Sequence, residues 1–82
     1  MPTVWRYRGY RFFFFSNERR ERPHIHVEKG GRYAKFWLRP VALVRSEGLS
    51  AHELTRVRKI VERNRAKLED AWDEFFKGKS SG

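Results

Sequence analysis

The sequence has 82 residues, with 19 Lys and Arg against 10 Asp and Glu, and its formal net charge is +9. Aromatic side chains make up 16% of it, which is too many for a disordered polycation, so we predict a folded protein. This length allows one domain, which we place at residues 1–77 and follow with a flexible tail at residues 78–82. The absence of cysteine excludes disulfides, thiolate catalysis and cysteine-ligated zinc.

Charge and hydropathy indicate the compartment and the class of partner. No apolar run approaches the roughly 20 residues of a membrane span, and the Met-Pro-Thr start does not resemble a signal peptide. We therefore expect a cytoplasmic protein without membrane contact. The positive charge favours a polyanion such as RNA as the partner, but charge alone does not separate RNA from DNA or from an acidic protein.

The first half of the chain shows the period-two alternation that is typical of β-strands. Strands are predicted at residues 4–7, 10–15, 24–29 and 32–38, followed by a short edge strand at residues 41–44. Arg8-Gly9 suits a two-residue hairpin turn, and Gly30-Gly31 is the stronger turn signal because glycine supplies the positive φ that such turns need.

The second half shows helical periodicity. Ser50 and Glu53 form a predicted capping box at the helix start, and Gly78 is the predicted stop. One apolar stripe follows, consisting of Leu54, Val57, Ile60, Val61, Leu68, Ala71, Trp72 and Phe75. We therefore expect an α+β fold, in which an antiparallel sheet of three to five strands packs its Ile25, Val27 and Phe36 face against a long C-terminal helix, either continuous or bent near Asn64.

The length of this helix predicts an interface. A continuous helix to about residue 77 would be roughly 40 Å long, whereas six- or seven-residue strands span roughly 20–24 Å. Either the helix bends near Asn64 and folds back over the sheet, or Trp72, Phe75 and Phe76 overhang it and meet a partner or a second copy. We favour the overhang, because residues 62–66 contain no glycine or proline.

The Gly30-Gly31 turn also predicts which side chains share a face. It pairs Lys29 with Arg32 and His24 with Trp37. The face opposite the core then carries His24, His26, Glu28, Tyr33, Lys35 and Trp37. A solvated sheet face of this composition is ordinary, and we weigh that alternative equally with any function.

The same face has the groups that a metal-independent ribonuclease needs. Because an unperturbed imidazole in general titrates near neutral pH, two histidines can serve as general base and general acid, with Lys35 neutralising the charge that develops on phosphorus. Tyr33 and Trp37 could stack bases. The polar segment at residues 16–23 is predicted to be a mobile basic loop that steers RNA through Arg19, Arg20 and Arg22.

Metal binding is a weaker alternative for the two histidines. Glu28 lies roughly 13 Å along the strand from His24, so a third ligand such as His52 would have to come from the helix. We therefore predict no metal and no cofactor.

Acidic side chains cluster in the last part of the helix, at Glu69, Asp70, Asp73 and Glu74. Like charges at i,i+4 and negative charge near a helix C-terminus are both unfavourable. We expect a compensating positive charge, supplied by the arginines at 19–22 or by a partner. Five further basic residues, Arg56, Arg58, Lys59, Arg63 and Lys67, form a basic flank that is ordinarily a solvated helix face.

Several segments together carry a resemblance to a known family. They are Met1-Pro2-Thr3, Phe15-Ser16-Asn17-Glu18, Pro23-His24-Ile25-His26-Val27, Ala34-Lys35-Phe36-Trp37-Leu38 and the helix positions Val61-Glu62, Asn64, Leu68 and Trp72. In these the chain resembles, to about residue 76, the prokaryotic family catalogued as "domain of unknown function 4160". The Pro-His-x-His-Val segment is the most specific part.

The resemblance implies a short α+β domain whose signature positions are His24 and His26. It also implies an adjacently encoded small protein, in a gene arrangement that resembles toxin–antitoxin modules, and it implies no established activity. Two positions depart from known patterns. Arg22 stands where members often have a second proline, and Glu28 replaces the third histidine of nucleotide hydrolases, so that chemistry is not carried over.

Two functions from different classes remain. The first is an RNA-directed component of a toxin–antitoxin-like module, with His24, His26 and Lys35 as catalytic candidates. The second is a non-enzymatic protein that binds an adjacently encoded partner. RNA cleavage that depends on both histidines would favour the first, and capture of the neighbouring gene product without cleavage would favour the second.

Overall fold

The computed structural model describes residues 3–15 and 20–80, and the side chains of residues 4–15 and 20–76. In chain order the elements are β1 (Thr3–Tyr7), β2 (Tyr10–Phe13), β3 (His24–Lys29), β4 (Arg32–Leu38), β5 (Val41–Glu47), α1 (Ala51–Arg63) and α2 (Arg65–Ser80). The α+β class is confirmed, with the sheet N-terminal and the helices after it. None of the helices in this described part has both the length and the apolar character to cross a membrane.

The five strands form one antiparallel sheet in the order β1-β2-β3-β4-β5. The β3–β4 register runs from Lys29 opposite Arg32 to His24 opposite Trp37, as the Gly30-Gly31 turn predicts. Both glycines have positive φ, of 54° and 79°, and this is why the two-residue turn fixes the pairing. The last strand, β5, extends to Glu47, three residues beyond the predicted edge strand.

The β1–β2 turn, unlike the β3–β4 turn, places a residue other than glycine at positive φ. Gly9 has a φ of 84°, and Arg8 has a φ of 51°. A non-glycine residue in this left-handed region costs about 1–2 kcal/mol. The rest of the hairpin therefore holds Arg8 in a conformation that arginine does not prefer.

The core lies between the helices and one face of the sheet. Ile25, Val27 and Phe36 are at most 1% exposed, and Val57 and Val61 of α1 are fully buried beneath them. The predicted capping box is present, since Glu53 N–H donates to Ser50 Oγ at 3.1 Å and Ser50 N–H donates to Glu53 Oε1 at 3.4 Å. The expected sheet face and helix stripe are confirmed.

The single long helix is wrong, and the alternative of a bend near Asn64 is confirmed, because the helix breaks at this residue. This residue leaves the helical region, with φ −112° and ψ 18°, and its Nδ2 donates to Ile60 O at 2.8 Å. A side-chain amide that competes for a backbone carbonyl ends a helix without glycine or proline. α2 then runs to Ser80, two residues past the predicted stop at Gly78.

Candidate nucleic-acid interface

The overhang predicted for the C-terminal rings is also wrong. Trp72 and Phe76 are each 5% exposed and Phe75 is partly buried. All three contact Phe14, with ring centroids 5.1–6.2 Å apart. The break at Asn64 lets α2 cover the end of the sheet, so these rings fill the core, and the reason for placing a partner or a second copy on them disappears.

The face opposite the core carries the predicted set of residues but is partly covered. His26 pairs with Lys35 and with Phe13, and His24 pairs with Trp37, so these side chains share one face. However, His24 is fully buried and His26 is 3% exposed. The expectation that both histidines lie on an open surface is therefore wrong.

His26 lies within a layer of aromatic rings. It stacks on Phe13 at 5.3 Å between ring centroids and meets Phe15 edge-on at 4.7 Å. Its Nδ1 is 2.6 Å from the Tyr33 hydroxyl, and its ring is 5.0 Å from that of His24. Strand alternation predicts which way His26 points, but the covering side chains come from β2 and the residues after it.

His24 is enclosed by α2 and by the chain before β3. Its Nδ1 is 2.8 Å from Arg22 O, and its ring centroid is 4.8 Å from that of Trp72 and 5.9 Å from that of Trp37. In this arrangement an RNA phosphodiester does not reach the imidazole. The geometry therefore gives His24 a packing role, and its acid–base role stays a prediction.

Cations lie above the aromatic layer and are held against its rings. Arg22 Cζ is 4.6 Å and Lys35 Nζ 5.2 Å from the Trp37 ring centroid, and Arg45 Cζ is 5.3 Å from that of Tyr33. We call these five residues, Arg22, Tyr33, Lys35, Trp37 and Arg45, the cationic face. Arg45 is missing from the predicted site because the predicted edge strand ends at Val44. Its β-pairing with Lys35 would have revealed it.

Acidic side chains neutralise only part of this charge. Lys35 Nζ is 3.0 Å from Glu21 Oε1, and Arg22 donates to the backbone carbonyl of Arg39 at 3.1 Å. Among the described residues, no carboxylate forms an ion pair with Arg22 or Arg45. Of the other loop arginines, Arg20 is exposed and Arg19 lies outside the described residues.

The acidic part of α2 is compensated from an unexpected direction. Arg39, in the turn between β4 and β5, forms an ion pair with Glu69 and lies 3.6 Å from Asp73. Hydrogen bonding to Glu69, and its charge, raise the pKa of Arg39. Arg65 adds a contact to Glu69 at 3.6 Å. The described arginines of the predicted basic loop, Arg20 and Arg22, make no such pair and keep their charge for other contacts.

The described residues contain no group of three or more His, Asp or Glu side chains arranged to hold a metal ion. His52, which the metal alternative needs as a third ligand, lies on the exposed side of α1 with its Nε2 3.2 Å from Arg56 Nη2. His52 therefore contacts a residue of its own helix, and it does not lie beside His24 or His26 as a third metal ligand would.

Comparison with known proteins gives one assignment. The model of a family described as "Domain of unknown function (DUF4160)" matches residues 9–73, a stretch that runs from the β1–β2 turn into α2 and includes the Pro23-His24-Ile25-His26-Val27 segment. Comparison with curated proteins and with solved structures gave no match. Because the matched stretch spans most of the sequence, the chain belongs to the DUF4160 family.

Proposed function

We propose that this protein binds single-stranded RNA through the cationic face and that it acts by binding rather than by cleavage. The observation that carries the proposal is the pairing of cations with rings on the sheet face opposite the core: Arg22 and Lys35 over Trp37, and Arg45 over Tyr33. Single-stranded RNA is recognised by stacking its bases on aromatic rings or guanidinium planes, with cations along its backbone.

The geometry lowers the cost of binding. A guanidinium that already lies over an indole has lost part of its rotamer freedom, so less is lost when a phosphate or base meets it. Trp37 and Tyr33 are partly buried, which fixes the rings beneath the cations. Arg22 and Arg45 are exposed and available to a ligand.

The buried histidines support binding over cleavage. A general acid or base must reach the atom whose proton it transfers, at hydrogen-bond distance or through one water. His24 is fully buried and His26 is 3% exposed, so both support the layer that carries the cations. A toxin–antitoxin-like context would be compatible with such a binder, and it stays a prediction from the family resemblance.

Fluorescence anisotropy with a labelled single-stranded oligoribonucleotide tests the proposal. Trp37→Leu removes the ring beneath two cations, and we expect RNA to bind at least about fivefold more weakly. Arg45→Gln should reduce the slope of log K against log salt by about 0.7, the contribution of one phosphate contact on a single strand.

Arg58→Gln is the matched control, because Arg58 is also exposed and lies on α1, on the other side of the sheet. It should change affinity less than twofold. The RNA should stay intact throughout. Equal RNA affinities for the parent protein and all three variants would contradict the proposed interface. RNA cleavage by the parent protein that is lost in His24→Ala and His26→Ala would restore the ribonuclease hypothesis.

The second candidate, a non-enzymatic complex with an adjacently encoded protein, is favoured by one feature. Leu43 and Val44 on the edge strand β5 are 44% and 38% exposed, the large apolar side chains that stand out among those described. Co-purification with the neighbouring gene product, weakened by Leu43→Ser and unaffected by Trp37→Leu, would support this complex. Co-purification that Leu43→Ser leaves unchanged would exclude β5 as its surface.

A further inference from the structure

A second concentration of positive charge lies on the helix-bearing side of the sheet. A pocket of about 240 Å³ opens between the β1–β2 turn and α1, and its lining consists of Tyr7, Arg8, Arg56, Lys59, Ile60 and Arg63. Four of these six side chains are cations. Neither the predicted RNA loop nor the cationic face includes any of them.

The charge of this pocket is not neutralised by acidic side chains within the part of the chain that the structure describes. In the described part of the chain, no carboxylate forms an ion pair with any of the four. Arg56, Lys59 and Arg63 follow each other at steps of three and four residues, so they share one helix face and span about 10 Å along its axis. Like charges held this close repel, and a bound anion would relieve the repulsion.

The fourth cation is held in place at a conformational cost. Arg8 occupies the left-handed region with a φ of 51°, where glycine or asparagine is usual. Its Cζ lies 5.2 Å from the Tyr7 ring centroid. Unfavourable backbone conformations of this kind tend to occur at functional positions, and here the strained residue places its charge at the pocket.

The electrostatic environment of Tyr7 agrees with this arrangement. Hydrogen bonding to Arg8 and the charge of Arg8 lower the pKa of Tyr7, and the charge of Arg63 lowers it further. Both the turn and α1 therefore contribute positive potential at the same phenol. A negative charge placed between them is stabilised from two sides.

We propose that this pocket binds a ligand with adjacent phosphate groups. Its volume is below the roughly 300 Å³ of small-molecule pockets, which suits phosphate groups rather than a whole nucleotide. Guanidinium groups bind phosphate oxygens in bidentate fashion, and the row of cations on α1 is long enough for more than one phosphate. A nucleoside diphosphate and an RNA backbone share this chemistry.

Calorimetric titration with inorganic pyrophosphate at constant ionic strength tests the site without RNA. Arg63→Gln should weaken binding about tenfold or more, as expected for the loss of a charge-assisted contact. Arg58→Gln is the matched control, since it removes the same charge from an exposed position of the same helix outside the pocket. We expect it to change the Kd less than twofold. Glutamine retains helix propensity at both positions.

Nuclear magnetic resonance of the Tyr7 ring gives an independent readout. Bound pyrophosphate should raise the pKa of Tyr7, because it offsets the charges of Arg8 and Arg63. No saturable binding by the parent protein, or equal Kd values for Arg63→Gln and Arg58→Gln, would overturn the proposal.

Two further titrations identify the source of the phosphates. Affinity for ADP that falls in Arg63→Gln identifies a nucleoside diphosphate, and affinity for oligoribonucleotide that falls in the same variant identifies an RNA backbone. Trp37→Leu should leave pyrophosphate binding unchanged. Loss of RNA binding in Trp37→Leu with pyrophosphate binding retained separates the fate of this site from that of the cationic face.

Discussion

The imidazole of His26 belongs to a packed layer of rings. It is stacked on Phe13, edge-on to Phe15 and within 2.6 Å of the Tyr33 hydroxyl. Phe13 belongs to β2, Tyr33 belongs to β4, and Phe15 lies two residues after the end of β2. The first contribution of His26 is therefore to the stability of the sheet face that carries the cations.

Truncation of His26 should destabilise the fold. His26→Ala opens a cavity in the ring layer and removes one contact of the Tyr33 hydroxyl, and we expect a loss of about 2–4 kcal/mol in the free energy of unfolding. His52→Ala, at an exposed position of α1, should stay within about 0.5 kcal/mol of the parent. Urea denaturation measures both. Equal stability of the two variants would show that the layer does not depend on His26.

The sequence allows prediction of the direction of His26 but not of its burial. Alternation along a strand assigns a side chain to one face, and the β3–β4 pairing confirms that His24, His26, Lys35 and Trp37 share it. Whether that face is covered depends on neighbouring chain segments. Phe15 and Trp72 reach it from outside the hairpin, and no local pattern encodes contacts between such distant segments.

At the scale of elements, the β3–β4 hairpin is the part most strongly determined by local sequence. Gly30-Gly31 supplies both positive φ values of the turn, and the turn sets every pair of the hairpin. The helix break is harder to predict than this hairpin, because it depends on one side-chain hydrogen bond, from Asn64 to Ile60 O. Asparagine also occurs inside helices, so the break at Asn64 depends as well on the packing of α2 against Phe14.

Gly31 tests how far the turn controls stability. A Cβ added there meets nothing within 4 Å, so the cost of substitution comes from the backbone alone. At a φ of 79°, Gly31→Ala should cost about 1–2 kcal/mol. Gly31→Asn should cost less than half of that, since asparagine tolerates the left-handed region. Urea midpoints at unchanged m-value give the comparison, and an alanine variant as stable as the parent would refute the backbone argument.

At the scale of the whole molecule, both edges of the sheet are irregular. The register of β1 against β2 shifts between Thr3 and Trp5, and the register of β4 against β5 shifts between Lys35 and Phe36. Bulges at sheet edges disfavour pairing with another edge. Together with the burial of Trp72 and Phe76, they leave neither the sheet edges nor the C-terminal rings suited to self-association.

We therefore predict a monomer, contrary to the expectation from the helix length. Sedimentation at low and high ionic strength should give the mass of one chain over the accessible concentration range. Trp72 should contribute the fluorescence of a buried indole. A dimer that persists at high salt would indicate an apolar interface and would contradict the packing of α2 described above.

Two of the three tryptophans allow one experiment to test the central claim, that RNA binds at the cationic face. Trp37 lies on the cationic face, whereas Trp72 belongs to α2, is 5% exposed and packs against Phe14. In a nuclear magnetic resonance titration of the indole N–H groups with single-stranded RNA, we predict that the Trp37 signal shifts in proportion to RNA bound and that the Trp72 signal does not. RNA binding with an unchanged Trp37 signal would contradict the account.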